Sequence, residues 1–336
     1  MTRIALNGLG RIGRLAVRRL SVLRPDLLLA LNDPAPLDQV VHLLRQDSIH
    51  GPSDVAIHGI TESGRDFLVL GDRRLPLTHA TDPRDIPFPE SVRLVVEASG
   101  RFTRRAEAAQ HLRGGVSHVV ISAPSPDADF TVIAPINGQE LDLQRHRIIS
   151  NASCTAHATG PMLRILDQAF GIEHTGMSTV HVVTNDQRLL DMPHKDLRRA
   201  RSAFQSIIPT TSSAFAALRR VMPDLPQGFD GVALRVPTLS VNLVDLVATL
   251  KRDTTVAEVR AAYEAASAGP WQGLVALADP HTVNGDITGR SESVVMDLEL
   301  TRMLGPRFVK VFGWHDNETG YAARLCDLVV DLVGRI

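Results

Sequence analysis

At 336 residues the chain exceeds the size at which one core usually keeps growing, so two lobes are expected. Hydrophobic residues make up 44% and the formal net charge is −1, with a pI near 6.9. A globular protein follows, with no global field to recruit nucleic acid or an anionic membrane. The basic residues are almost all Arg, with Lys only at 195, 251 and 310, which reads as compositional bias rather than a binding patch. Cys154 and Cys326 are too few for a disulfide framework and point to a reducing compartment. The opening MTRIALNGLG lacks the features of a signal peptide, and no run of about 18 apolar residues exists. A cytoplasmic location is expected, with a small-molecule partner, no nucleic acid and no membrane.

In chain order, Arg3 to Asn7 forms a short apolar strand ending at Gly8. Arg11 to Leu23 then carries helical spacing through Ile12, Leu15, Ala16, Leu20 and Leu23, and Leu27 to Asn32 completes a strand, helix, strand unit. Continuous apolar segments at Leu94 to Ala98, Val119 to Ile121 and Thr131 to Ala134 lack alternation, as strands buried on both faces do. This predicts an α/β fold opening with a doubly wound parallel sheet over residues 1–150.

The pattern changes after Ser150. A helix from about Cys154 to Phe170 is followed by longer alternating strands, Val232 to Val236 and Ser240 to Leu250, which predict an α+β lobe over 151–317 with a mostly antiparallel sheet. The charged stretch Asn185 to Pro209 is too long for an ordinary connection and reads as a functional loop. Leu325, Leu328, Val329, Leu332 and Val333 mark one face of a final helix, 318–336. Packing that face back on the first lobe would bury it, making that lobe discontinuous in sequence.

Gly8, Gly10 and Gly13 form G-x-G-x-x-G between the first strand and the first helix. Glycine permits the tight turn at the first place, close approach of a pyrophosphate at the second, and helix-on-strand packing at the third. The helix N-terminus then faces the phosphates. Asp33 stands 20 residues past Gly13, at the end of the second strand, where an acid binds adenosine ribose hydroxyls. Its carboxylate would repel a 2′-phosphate, so NAD is expected rather than NADP.

Cys154 lies between a strand ending near Ser150 and the following helix, which places its sulfur in the first helical turn. A free thiol titrates near 8.5. Lowering that by two to three units requires about 3 to 4 kcal/mol, whereas a helix terminus supplies at most about 2 kcal/mol. A second cation is needed, and an imidazolium is one candidate. A lone buried cysteine is ordinarily an inert small hydrophobe, the reading that Cys326, inside the final helix, keeps.

The segment SNASCT resembles the active-site signature of glyceraldehyde-3-phosphate dehydrogenases of the phosphorylating, bacterial type. NGLGRIGR at 7–14, LNDP at 31–34, EASGRFT at 97–103, ISAP at 121–124, DMPHKDLRRAR at 191–201, ALRVPT at 233–238 and WHDNETGY at 314–321 also look familial. The resemblance implies a Rossmann domain followed by a catalytic domain. It further implies NAD-dependent oxidation of glyceraldehyde 3-phosphate to 1,3-bisphosphoglycerate in glycolysis, through a cysteine hemithioacetal and a thioester. Cys154 would be the nucleophile and His181 its base. Gly8, Gly10, Arg11, Ile12, Gly13, Asp33, Ser99, Ser122, Pro193 and Asn317 would hold the cofactor. Thr184 and Arg235 would bind the substrate phosphate, and Ser153, Thr155, Arg199, Ser212 and Ser213 the inorganic phosphate, with no metal required. Arg198 and Arg201 read as ion-pairing residues of the loop, and a homotetramer is implied.

The chain departs from the usual family pattern in carrying Ser212-Ser213 for Thr-Gly, His157 and Ala158 for Asn and a second Cys, and Thr81 for an Arg before Asp-Pro. Two alternatives belong beside the main expectation. One is non-phosphorylating oxidation in the manner of erythrose-4-phosphate dehydrogenases, and the other a non-catalytic dinucleotide-binding redox sensor.

Overall fold

A computed structural model of the protein describes residues 3–226 and 228–336. The chain forms two compact units, one of residues 1–152 and 322–336, the other of 153–321.

The first unit is built on a nine-stranded sheet ordered β3-β4-β5-β2-β1-β6-β7-β9-β8. Its strands are β1 (Arg3–Asn7), β2 (Leu28–Asn32), β3 (Ile57–Glu62), β4 (Arg65–Leu70), β5 (Arg73–Thr78), β6 (Val92–Glu97), β7 (His118–Ile121), β8 (Phe130–Thr131) and β9 (Ile148–Ser150). The run from β5 through β8 is parallel. At the other edge, β3 to β5 form an antiparallel meander. Helix α1 (Arg11–Leu23) buries Gly13, Ala16, Val17 and Leu20, an i, i+3, i+4, i+7 face. The shorter helices are α2 (Leu37–Arg45), α3 (Arg105–Ala108) and α4 (Ala134–Asn137). The expected strand Thr131 to Ala134 stops early: Asn137 accepts the Ile133 N–H and donates to the Thr131 carbonyl, and the chain turns into α4.

The second unit begins with α5 (Cys154–Phe170). Its seven-stranded sheet is ordered β11-β12-β10-β13-β16-β15-β14, comprising β10 (Ile172–Val182), β11 (Ile208–Thr210), β12 (Asp230–Val236), β13 (Asn242–Leu250), β14 (Val275–Leu277), β15 (Val294–Met303) and β16 (Phe308–His315). Four of its pairings are antiparallel, while β10–β12 and β14–β15 are parallel. In β13 every second residue of NLVDLVATL is buried, the period-2 pattern of a sheet with one core face. This strand starts at Asn242 rather than Ser240, because Val241 sits at φ +68, outside the extended region. Helices α6 (Ala214–Val221), α7 (Val256–Ala268) and α8 (Asn284–Ile287) complete the unit.

The last helix, α9 (Thr319–Arg335), supplies Leu325, Cys326, Leu328, Val329 and Leu332 to the core formed by Ile4, Leu6, Ala16, Val17 and Leu20 of the first unit. Burying five such side chains contributes on the order of 10 kcal/mol before chain entropy is subtracted. Among the described residues no helix is long and apolar enough to cross a membrane.

Candidate active site

In the first unit the three loop glycines differ in what constrains them. Gly8 has φ +98, and a Cβ there would meet the Ser99 backbone; at Gly13 it would lie 2.0 Å from the Gly8 carbonyl oxygen. At Gly10 nothing lies within 4 Å of such a Cβ, so the space above that backbone is open to a ligand. Gly10 caps α1 without a side-chain bond, leaving first-turn N–H groups for an anion. One Asp33 oxygen accepts the Leu9 N–H at 2.6 Å, and the other accepts the Ala35 N–H at 2.9 Å, which fixes the carboxylate beside the glycine loop. Ile12 packs on the core.

The Arg11 guanidinium grips Asp47 at 2.6 and 3.1 Å. Burial alone would raise Asp47, but N–H bonds from His50 and Ile49 together with Arg11 hold its carboxyl at about 2. Beneath the loop, buried Glu97 accepts from Asn7, His111 and Ser99, a network that sequence patterning does not reveal. The Ser122 backbone N–H bonds the Glu97 carbonyl.

In the second unit Ser153 caps α5 by accepting the Ala156 N–H at 3.2 Å, which sets Cys154 at the first helical position. The preceding residue, Ala152, holds φ +50, a strained conformation for a non-glycine residue. Cys154 Sγ lies 3.9 Å from His181 Nε2 and 4.0 Å from Thr155 Oγ1. His181 Nδ1 is 2.8 Å from the Val182 carbonyl oxygen, an acceptor only, so Nδ1 carries the proton. In the neutral ring Nε2 therefore turns a lone pair toward the thiol. A separation of 3.9 Å is long for a formed bond and suited to tightening when substrate arrives.

The electrostatics correct the expectation of an imidazolium. Burial pushes the Cys154 thiol up, and Thr155, the Arg235 charge and backbone N–H groups pull back only part of the way. Burial, followed by the Arg235 charge, holds His181 well below the usual 6.5. The cation beside the sulfur is thus Arg235, which faces His181 in register across β10 and β12. Arg235 Nη1 donates to the same Val182 carbonyl at 3.3 Å.

The other site residues occupy the surrounding loops of this unit. Thr184 donates both its N–H and its hydroxyl to Gln187. Arg199 bonds Thr210 at 2.8 Å and Asp186 at 2.6 Å, which leaves part of its donor fork for an anion. Ser212 accepts the Ala214 N–H, and Ser213 caps α6 without a side-chain bond. Pro193 is exposed in the long loop, remote in sequence from every strand of the sheet. In that loop Arg201 pairs with Asp191, while Arg198 donates its backbone N–H to Asp196. Asn317 accepts the Val241 N–H at 3.2 Å through Oδ1, so its amide NH₂ keeps the donor role.

Two site-supporting residues escaped the sequence reading. Asn242 is fully buried, accepts the Val182 N–H at 2.9 Å and donates to His315 Nε2 at 3.0 Å. Asn242 and His315 are register partners across β13 and β16. Burial depresses His315 to about 3, so its ring is neutral and able to accept.

Two family models match the chain. That described as glyceraldehyde 3-phosphate dehydrogenase, NAD binding domain, covers residues 2–105; that described as glyceraldehyde 3-phosphate dehydrogenase, C-terminal domain, covers 153–317. The glyceraldehyde-3-phosphate dehydrogenase of Geobacillus stearothermophilus is 42% identical over 99% of this chain and 98% of its own. Glyceraldehyde-3-phosphate dehydrogenase 2 of Streptomyces arenae is 44% identical over 99% and 98%. Glyceraldehyde-3-phosphate dehydrogenase 2 of Bacillus subtilis (strain 168) is 39% identical over 99% and 97%.

Proposed function

Because the chain belongs to the glyceraldehyde-3-phosphate dehydrogenase family, we propose that it oxidises glyceraldehyde 3-phosphate, with NAD and inorganic phosphate, to 1,3-bisphosphoglycerate. The observation that carries this reading is the His181 tautomer, with an acceptor nitrogen facing the Cys154 sulfur at 3.9 Å.

The dinucleotide fits the glycine loop: Gly10 leaves its backbone open, α1 offers uncapped N–H groups, and Asp33 presents a fixed carboxylate for ribose hydroxyls. Ser99 and Ser122 are the further holding residues of the first unit; in the second, the Asn317 amide and Pro193 are the residues that the family likeness assigns to the cofactor. Bound NAD supplies the acceptor for the hydride that leaves the substrate carbon.

As Sγ bonds the aldehyde carbon, the thiol proton passes to His181 Nε2. The resulting imidazolium and the N–H groups at the start of α5 hold the oxyanion of the hemithioacetal. The imidazolium returns that proton to the oxyanion, giving the neutral hemithioacetal; as hydride leaves the carbon for the acceptor that bound NAD would supply, His181 takes the hydroxyl proton back, the carbonyl reforms and a thioester remains on Cys154. Thr184 and Arg235 hold the substrate phosphate. Ser153, Thr155, Arg199, Ser212 and Ser213 position inorganic phosphate, whose oxygen attacks the thioester carbon, breaks the C–S bond and returns sulfur as the leaving thiolate. The Arg235 charge stabilises that thiolate.

A homotetramer in the cytoplasm is part of the same proposal. Its support is the long loop, which exposes Leu189, Leu190, Met192, Leu197 and Ile207, an apolar display suited to a subunit contact. The test of the reaction is reduced-cofactor formation from glyceraldehyde 3-phosphate, with and without phosphate, using NAD and NADP. Turnover that requires phosphate and prefers NAD is expected. Phosphate-independent turnover that favours erythrose 4-phosphate would overturn the assignment.

A further inference from the structure

Val182 is gripped from both sides. Its N–H is held by Asn242 Oδ1 at 2.9 Å, and its carbonyl receives His181 Nδ1 at 2.8 Å and Arg235 Nη1 at 3.3 Å. Asn242 is held in turn through Nδ2, which donates to His315 Nε2 at 3.0 Å. Asn242 and His315 are 0% and 2% exposed, so neither reaches substrate or solvent. A buried polar group left unpaired costs about 1 to 3 kcal/mol; the Asn242 amide meets that cost with bonds to His315 and to the N–H of the residue whose carbonyl accepts from His181, while His315 Nδ1 has no partner among the described residues.

We infer that Asn242 and His315 are positioning residues for the Cys154–His181 pair: His315 orients the Asn242 amide, Asn242 locks Val182, and the Val182 carbonyl fixes both the His181 tautomer and the Arg235 guanidinium. This rests on the reading of Cys154 and His181 given above. Only a neutral acceptor at His315 lets the Asn242 amide donate while its oxygen stays on the Val182 N–H. Without the lock, His181 is free to rotate or to place its proton on Nε2, which would aim a donor instead of a base at the sulfur. The charged and titratable groups acting on the pair are Arg235 from β12 and His315 from β16, while Arg199 and Asp186 of the long loop act on Arg235.

The experiment uses the full chain carrying Asn242→Ala, His315→Phe or His315→Gln, beside Cys154→Ser and His181→Asn. Steady-state kinetics, the pH profile of Cys154 alkylation by iodoacetamide, and thermal unfolding are measured on each. Asn242→Ala and His315→Phe are expected to lower kcat on the order of 10-fold to 100-fold, with KM within about a factor of three, and to move the alkylation profile toward that of His181→Asn. His315→Gln, whose amide oxygen accepts where Nε2 did, is expected to recover most of kcat and the original profile. The inference is overturned if kcat falls only in step with the folded fraction while the profile stays put, or if His315→Gln behaves as His315→Phe does. His315→Phe conserves ring volume and so decides the matter should Asn242→Ala fail to fold. Retained activity in Cys154→Ser or His181→Asn would instead remove the proposed reaction.

Discussion

The two cysteines of this chain both lie on 17-residue helices, yet their surroundings are opposites. Cys154 opens α5, part exposed, with an imidazole nitrogen at 3.9 Å and a guanidinium in the next strand. Cys326 lies inside α9 with 1% exposure, its sulfur facing the Ala16 carbonyl at 3.8 Å, and burial pushes its thiol up to about 12. Burial raises both thiols. The difference is a base: Cys154 can give its proton to an imidazole nitrogen during attack, whereas Cys326 faces a peptide carbonyl, which accepts a hydrogen bond but does not take the proton.

The largest test of this contrast is Cys154→Ser, expected to lower kcat on the order of 10⁴-fold, while Cys326→Ser leaves kcat within about a factor of two. Equal losses in steady-state assays would erase the distinction. His181→Asn should follow with about 10²-fold to 10⁴-fold, the range of a general base, and should leave KM nearly unchanged. Iodoacetamide labelling read by mass spectrometry sharpens the point. Cys154 alone should react in the native chain, and because burial raises its thiol its rate should climb through the alkaline range; a plateau below neutral pH would mean a resting thiolate–imidazolium pair.

Stability gives the next contrast, since the second unit carries two depressed histidines. Above about 6.5 both folded and unfolded chains hold them neutral and no penalty exists. As pH falls below the unfolded value the unfolded chain takes up protons that the folded chain refuses, down to about 3 for His315. Stability should therefore drop with falling pH by up to about 1.4 kcal/mol per unit for each such histidine, which urea midpoints between pH 7 and 4 would register. The smallest effect is expected at Cys326→Ser, where the hydroxyl keeps the Ala16 carbonyl as acceptor, so a loss of about 1 to 2 kcal/mol in urea unfolding suffices.

Local patterns carried much of this architecture. The apolar face of Ile12, Ala16 and Leu20 marks α1 because helical period and burial coincide there, and Cys154 to Phe170 reads as one helix from its cap onward. The meander of β3 to β5 was not legible, since its edge strands expose His58, Gly59, Thr61 and Glu62 and lack a clean apolar signature. Glycine spacing and Asp33 lie within one strand, helix, strand unit, so local order revealed them. The Cys154–His181 pairing depends on bringing residues 27 apart in sequence together, and it came from family resemblance rather than from periodicity. Asn242 and His315, 73 residues apart, meet only through strand register, which no local pattern encodes. The Arg235 charge was hidden for the same reason: it stands beside His181 because β10 and β12 pair in parallel.

The bidentate grip of Asp47 on Arg11 has a consequence for how an anionic ligand is met in the glycine loop. With that guanidinium already neutralised, the loop offers peptide dipoles in place of a free side-chain charge. Fixed dipoles at contact range are screened by dissolved ions far less than a mobile surface charge is. Dinucleotide affinity should then vary only weakly between dilute buffer and concentrated salt, and Asp47→Ala, by freeing Arg11, should make it ionic-strength sensitive.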